Sequence, residues 1–84
     1  MLSSYLNVYN TCLVILDRRG YKISYEQPKG AWHAEKSGFK FLADNPIELL
    51  GLSAIFEEIA PTSDSEYWWK IDGPNLLARW DPEF

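Results

Sequence analysis

The stretch that most constrains the fold runs from Asp44 to Pro61, because it carries the start and stop signals of a helix at its two ends. Asn45 is a favoured N-cap residue, and Pro46 suits the first helical position, where no amide donor is needed. Glu48 can bond back to the cap amide, as in a capping box. Pro61 disfavours helical backbone at the residue before it. These signals predict a helix over residues 46–59. Its apolar face is made by Leu49, Leu52, Phe56 and Ile59, and is widened by Leu50 and Ile55.

A first helix is predicted over residues 3–19, because apolar residues recur from Leu2 onward at spacings of four and three. Ser3 or Ser4 can cap its start, and Gly20 is suited to end it. We expect this helix to cross the second helix near Gly51, where the missing side chain allows two backbones to approach closely.

Three short strands are predicted between the two helices, over residues 21–26, 31–36 and 39–43. Polar and apolar residues alternate along each of them, which is typical of half-buried strands. Residues 27–30 and residues 37–38 contain the Pro and Gly residues that favour turns. Loops this short predict an antiparallel meander.

The segment after the second helix is rich in aromatic residues. Tyr67, Trp69 and Ile71 alternate with Trp68 and Lys70, which predicts a fourth strand over residues 67–71. Residues 75–80 are predicted to form a short helix or a fifth strand. The chain is therefore expected to be a single α+β domain over residues 1–84. In this two-layer fold, two helices pack on one face of an antiparallel sheet of four or five strands.

The charge is unevenly distributed along this acidic chain, whose formal net charge is −4. Residues 1–43 carry six basic and three acidic side chains, whereas residues 44–84 carry nine acidic and two basic ones. The split can be a chance feature of a small protein. Alternatively, the second helix and the C-terminal segment form an acidic surface that steers a basic partner.

The single cysteine, Cys12, excludes an intramolecular disulfide. The start of the sequence lacks a basic region, and the nearby apolar run from Cys12 to Leu16 is too short for a signal-peptide core or a membrane span. We therefore expect a cytoplasmic protein without a membrane partner.

Catalytic and metal-binding motifs are not recognisable in the sequence. Its only histidine, His33, would have to lie beside Cys12 to form a nucleophile–base pair, and a zinc site would need more ligands of these types. Phosphate-binding glycine loops and a nucleophile elbow are also missing. Glu57, Glu58 and nearby acids are expected to be solvated rather than to hold a metal. The prediction is a non-enzyme without cofactors.

The predicted order helix–strand–strand–strand–helix over residues 3–59 resembles the topology of the double-stranded-RNA-binding domain. In that family, a basic N-terminus of the second helix holds phosphates. The corresponding positions here are Asp44, Asn45, Pro46, Ile47 and Glu48, none of which is basic. We therefore expect no nucleic-acid partner, and the net negative charge agrees with this expectation.

Aromatic residues make up 15% of the chain and suggest how it could bind a partner. The predicted fourth strand places Trp68 and Trp69 on opposite faces of the sheet. The second face could be covered by Leu76, Leu77 and Trp80, or it could remain an exposed aromatic patch. The aromatic set is Trp32, Tyr67, Trp68, Trp69, Trp80 and Phe84.

The sequence favours a non-enzymatic interaction or regulatory protein, resembling an immunity protein, an inhibitor or an antitoxin in kind. The residues predicted to contact an unidentified protein partner are Glu57, Glu58, Trp68 and Trp80. A homodimer formed through the aromatic sheet face is the second hypothesis. A small-ligand binder or enzyme with a cleft near Trp32, His33 and Trp69 is the third.

Overall fold

The computed structural model describes residues 1–28, 30–81 and 83. It is an α+β fold in which helices pack on a three-stranded antiparallel sheet. A short 3₁₀ turn, Leu6–Val8, precedes the first helix. The elements are then α1 (Tyr9–Arg18), β1 (Lys22–Glu26), β2 (Ala31–Lys36), β3 (Phe39–Ala43), α2 (Pro46–Ile59) and α3 (Leu77–Trp80). Among the described residues, no helix has the length and apolar character needed to span a membrane. The predictions for Lys29, Pro82 and Phe84 lie outside the described residues.

Helix α1 ends as predicted but begins later than predicted. The Gly20 amide donates to the Asp17 carbonyl and the Tyr21 amide donates to the Leu16 carbonyl, at 3.0 Å each. Gly20 has a φ of +86°, so the helix ends in a Schellman motif. The predicted serine cap is wrong, because neither the 3₁₀ turn nor α1 has a side-chain cap at its start. Without a cap, the first residues stay outside the α-helix, and Leu2 and Leu6 are exposed.

The three strands before α2 form the predicted meander, with β1 starting one residue late. The sheet order is β1-β2-β3, and Trp32 of β2 lies opposite Tyr25 of β1 and Ala43 of β3. Ser37 and Gly38 join β2 to β3 with φ values of 53° and 83°. Two positive φ angles in a two-residue loop define a type I′ turn, whose twist matches that of the flanking strands.

One face of the sheet carries the core. Leu16 of α1 and Leu49 of α2 are fully buried there, and the side chains of alternate strand residues pack below them. The buried core cluster consists of Leu16, Tyr21, Ala34, Phe39, Phe41, Ala43 and Leu49. The opposite face has no helix on it among the described elements. We call it the free face, and it carries Lys22, Ser24, Glu26, His33, Glu35, Lys40 and Leu42.

Helix α2 has the predicted limits and the predicted cap. The Glu48 amide donates to Asn45 Oδ1 at 2.9 Å, while Glu48 Oε2 accepts from the Asp44 amide at 3.3 Å, one residue before the cap. The helix ends at Ile59, and the C-cap residue Ala60 has a left-handed φ of 49°. The expected crossing near Gly51 is wrong, because a Cβ built at Gly51 would have no neighbour within 4 Å.

The predicted fourth strand over residues 67–71 is wrong, since Tyr67 and Trp68 lie in a turn. Tyr67 has a φ of 58°, and the amides of Trp68 and Lys70 donate to the carbonyls of Ser65 and Tyr67. Left-handed backbone at Tyr67 is incompatible with a continuous strand. The alternative of a fifth strand is also wrong, because Leu77–Trp80 is the short helix α3. Asn75 Oδ1 accepts from the Ala78 amide at 3.3 Å.

Candidate functional site

A continuous apolar surface lies between the C-terminal half of α2, the turn at Trp68 and the edge of β3. It contains two open depressions, of about 410 Å³ and 350 Å³, and Ile55 and Trp69 line both of them. Leu42 contributes to the larger depression and Ile71 to the smaller one. All four side chains are exposed, and 50% of Trp69 is accessible to solvent. We call Leu42, Ile55, Trp69 and Ile71 the Trp69 surface.

The turn at residues 66–69 directs two adjacent tryptophans to different environments. Trp68 packs inward, with its ring centroid 5.5 Å from that of Phe39 and 6.0 Å from that of Phe56. Trp69 points outward and meets the rings of Tyr67 and Trp68 edge to face, at 5.6 Å and 5.9 Å. Such ring contacts restrict the orientation of Trp69 in the free protein. These two contacts favour one orientation of the exposed indole.

The edge of β3 beside this surface has backbone groups that face no strand among the described residues. In a hairpin with a two-residue turn, the residues that flank the turn form a hydrogen-bonded pair, here Lys36 and Phe39. The alternating pattern then pairs Ala34 with Phe41. It directs the amide and carbonyl of Lys40 and Leu42 away from β2, to the outer side of β3. Both residues line the larger depression.

The four residues predicted to contact a partner do not share one surface. Glu58 lines the smaller depression, next to Ile71 and Trp69. Glu57 instead faces the connection between α1 and β1, where its Oε2 lies 3.2 Å from Arg19 Nη1 and accepts from the Tyr21 hydroxyl at 3.3 Å. Trp68 is half-buried on the core. Trp80 is 78% exposed on α3 and lines neither depression.

The Tyr21 hydroxyl is the ionisable group most affected by this arrangement. Its side chain is only 3% exposed, and burial raises the pKa of the phenol above its ordinary value. The negative charge of Glu57 and its hydrogen bond from the hydroxyl raise the pKa further, while Ser53 and Arg19 lower it. Glu57 thus links α2 to Arg19 and Tyr21, in the connection between α1 and β1.

The predicted cleft near Trp32, His33 and Trp69 is not assembled. Trp32 lies on the core side of the sheet, with its ring 4.7 Å from that of Tyr25. His33 projects from the free face, where its Nε2 lies 3.0 Å from Glu26 Oε2. Trp69 lies beside α2, outside the sheet. Strand alternation separates Trp32 from His33, because neighbouring residues of a strand point to opposite faces.

Cys12 and His33 also lie apart. The Cys12 thiol is buried in α1, on the helix side of the sheet, whereas His33 is on the free face. Within the described part of the chain, no three His, Cys, Asp or Glu side chains are grouped so as to hold a metal ion.

The free face forms a third, larger and more polar depression of about 470 Å³. Lys22, Glu35 and Lys40 lie opposite one another across its three strands, in a row of alternating charge. Opposite charges on facing strand positions stabilise a sheet modestly. This face therefore has the composition of a solvated sheet surface. The aromatic sheet face predicted as a homodimer interface is wrong for the described residues, because Trp68 and Trp69 lie in a turn outside the sheet.

Sequence reasoning missed Leu42, Ile55 and Ile71 as site residues and placed Trp69 in a different site. One signal for this surface was available. The apolar arc of α2 includes Ile55 beside the core face and is wider than one contact with a sheet requires. The position of Ile71 depends on the turn at Tyr67, which alternation in polarity cannot reveal.

Comparisons of the chain with known protein families, with curated protein sequences and with solved structures find no match.

Proposed function

We propose that this protein is a non-enzymatic protein-binding domain, and that the Trp69 surface makes the contact. The observation that carries the proposal is the position of Trp69, half exposed between two apolar depressions and fixed by Tyr67 and Trp68. Contiguous exposed apolar surface is typical of interaction sites, and tryptophan is enriched among the residues that dominate binding energy. A regulatory, inhibitor-like, immunity-like or antitoxin-like role is the kind of function that such a surface would serve.

The charge of the chain supports a partner that is basic overall. Residues 44–84, which supply most of the Trp69 surface, carry nine acidic and two basic side chains. Glu58 lies at the edge of the smaller depression, where a cation on the partner could reach it. Negative potential of this kind raises association rates at low salt and loses that effect at high salt. The buried, unpaired thiol of Cys12 fits a reducing cytoplasm.

Capture from an extract of the cells that express the protein tests this proposal. The bait proteins are the wild type, Trp69→Ser and Tyr5→Ser, each immobilised at the same density. Tyr5 is the matched control, because it is an exposed aromatic residue that lines neither depression. We expect one protein to be retained by the wild type and by Tyr5→Ser and lost with Trp69→Ser. Equal retention by Trp69→Ser would refute the role of the surface.

Self-association is a second candidate, favoured by a separate apolar patch on and beside α3. Leu76, Leu77 and Trp80 are all exposed there. A second copy could cover this patch without occupying the Trp69 surface. Sedimentation velocity over a concentration series tests this candidate: a dimer that dissociates in Trp80→Ser supports it, and a monomer at every concentration excludes it.

A further inference from the structure

The β3 edge offers hydrogen bonds in the spacing of a strand. Lys40 and Leu42 each direct one amide and one carbonyl outward, two residues apart, and no described segment pairs as a strand with the outer side of β3. An extended peptide can bond to all four groups, as in complexes formed by strand addition. These outward groups favour an extended occupant over a helix, because a helix has its own backbone groups already paired.

The free face specifies the charge of that strand. Lys22, Glu35 and Lys40 form one row across the sheet, with signs that alternate from strand to strand. A strand added by the partner beside β3 would continue this row with the residue opposite Lys40. An acidic side chain there would be attracted to Lys40, and a basic one would be repelled. Lys40 is the charged residue that lines the larger depression. The next row contains Ser24, His33 and Leu42, so an apolar residue is matched opposite the exposed Leu42.

The other face of the added strand would meet the apolar surface. The residue opposite Phe41 points to the helix side of the sheet, as Phe41 does. There the larger depression is lined by Leu52, Ile55 and Trp69. A large apolar side chain at this position would fill the depression and be removed from water.

We propose that the partner donates an extended segment that pairs antiparallel to β3 and carries, in order, an apolar, a large apolar and an acidic residue. These three residues lie opposite Leu42, Phe41 and Lys40, respectively. The inference rests on the proposed function and states how the Trp69 surface is used. A partner that is basic overall satisfies it as long as this one position is acidic.

A defined peptide tests the inference, with the sequence Lys-Thr-Val-Ile-Glu-Thr-Lys and both termini blocked. It is titrated into the ¹⁵N-labelled full chain while amide shifts are followed by NMR. We expect the largest shifts at Lys40, Leu42 and Trp69.

In the antiparallel register, the amides of the peptide Val and Glu point at β3, whereas the amide of its Ile points away. Methylating the Val or Glu amide nitrogen should weaken binding about tenfold, because it removes a backbone hydrogen bond. Methylating the Ile amide is the matched control and should change the affinity less than about twofold.

The preference for an acidic residue opposite Lys40 is tested by exchanging charges on the peptide and on the protein. Replacing the peptide Glu by Lys should weaken binding by about two- to fivefold, as for a partly exposed ion pair. Lys40→Glu should reverse the preference between the two peptides, and its amide spectrum shows whether the fold is retained. Affinities that do not depend on the sign of this residue would show that Lys40 does not select the partner.

Two results would overturn strand addition: no shifts at Lys40 and Leu42 at millimolar peptide, or equal weakening by all three methylations. If the capture that depends on Trp69 still holds, the protein-binding function stands and only the strand mode fails. If that capture also fails, both proposals fall.

Discussion

The Tyr21 hydroxyl shows how a single residue can make the stability of this fold depend on pH. The phenol is buried beside Phe41 of β3 and Phe56 of α2, and its hydroxyl donates to Glu57 Oε2 at 3.3 Å. Its pKa is raised, first by burial and then by the charge of Glu57. The folded protein therefore keeps the proton at pH values where the unfolded chain, with an ordinary value of 10.0, loses it.

This difference predicts a loss of stability in alkali. Below pH 10 the contribution of Tyr21 to the free energy of unfolding is complete, and it falls as the pH rises above 10 towards the folded pKa. Denaturant unfolding of the wild type and of Tyr21→Phe between pH 8 and pH 11 measures it. We expect a steeper alkaline decline for the wild type. Parallel declines would contradict the raised pKa.

At the scale of the element, the turn at residues 66–69 determines which of two adjacent tryptophans stabilises the fold. Trp68 meets Phe39, Phe41 and Phe56, whereas Trp69 is half exposed. Trp68→Ala should lower the free energy of unfolding by about 2 kcal/mol or more, somewhat less than for a fully buried tryptophan. Trp69→Ala should lower it by less than about 1 kcal/mol, as is usual for surface substitutions. Urea unfolding of the two variants checks this, and equal losses would place Trp69 in the core as well.

Elements with local signals were predictable from the sequence, and elements without them were not. The start of α2 is predictable because Asn45 and Pro46 act only on the backbone of the first helical turn, which is local in sequence. Polar and apolar residues alternate over residues 67–71 as in a strand, but the left-handed backbone of Tyr67 prevents an extended strand there. Alternation over five residues cannot distinguish a strand from a turn in which one aromatic packs inward. The Trp69 surface depends on this turn, and for that reason the sequence could not locate it.

At the scale of the whole molecule, the sheet has two chemically different sides, the helix side and the free face. One side contains the core, and the other side is polar, with rows of matched charge. The Trp69 surface lies at the β3 edge, where Leu42 of the free face meets residues of α2 from the helix side. Positions on the free face away from this edge, such as Lys22, therefore serve as controls on the same sheet.

Site-specific photo-crosslinking in the expressing cells tests the central claim most directly. A benzophenone-bearing amino acid is placed at Ile71, which lines the smaller depression beside Trp69, in one variant and at Lys22, on the free face, in another. We predict a discrete covalent adduct with one other protein from position 71 and none from position 22. No adduct from position 71, or the same adducts from both positions, would contradict the assignment of the Trp69 surface as the binding site.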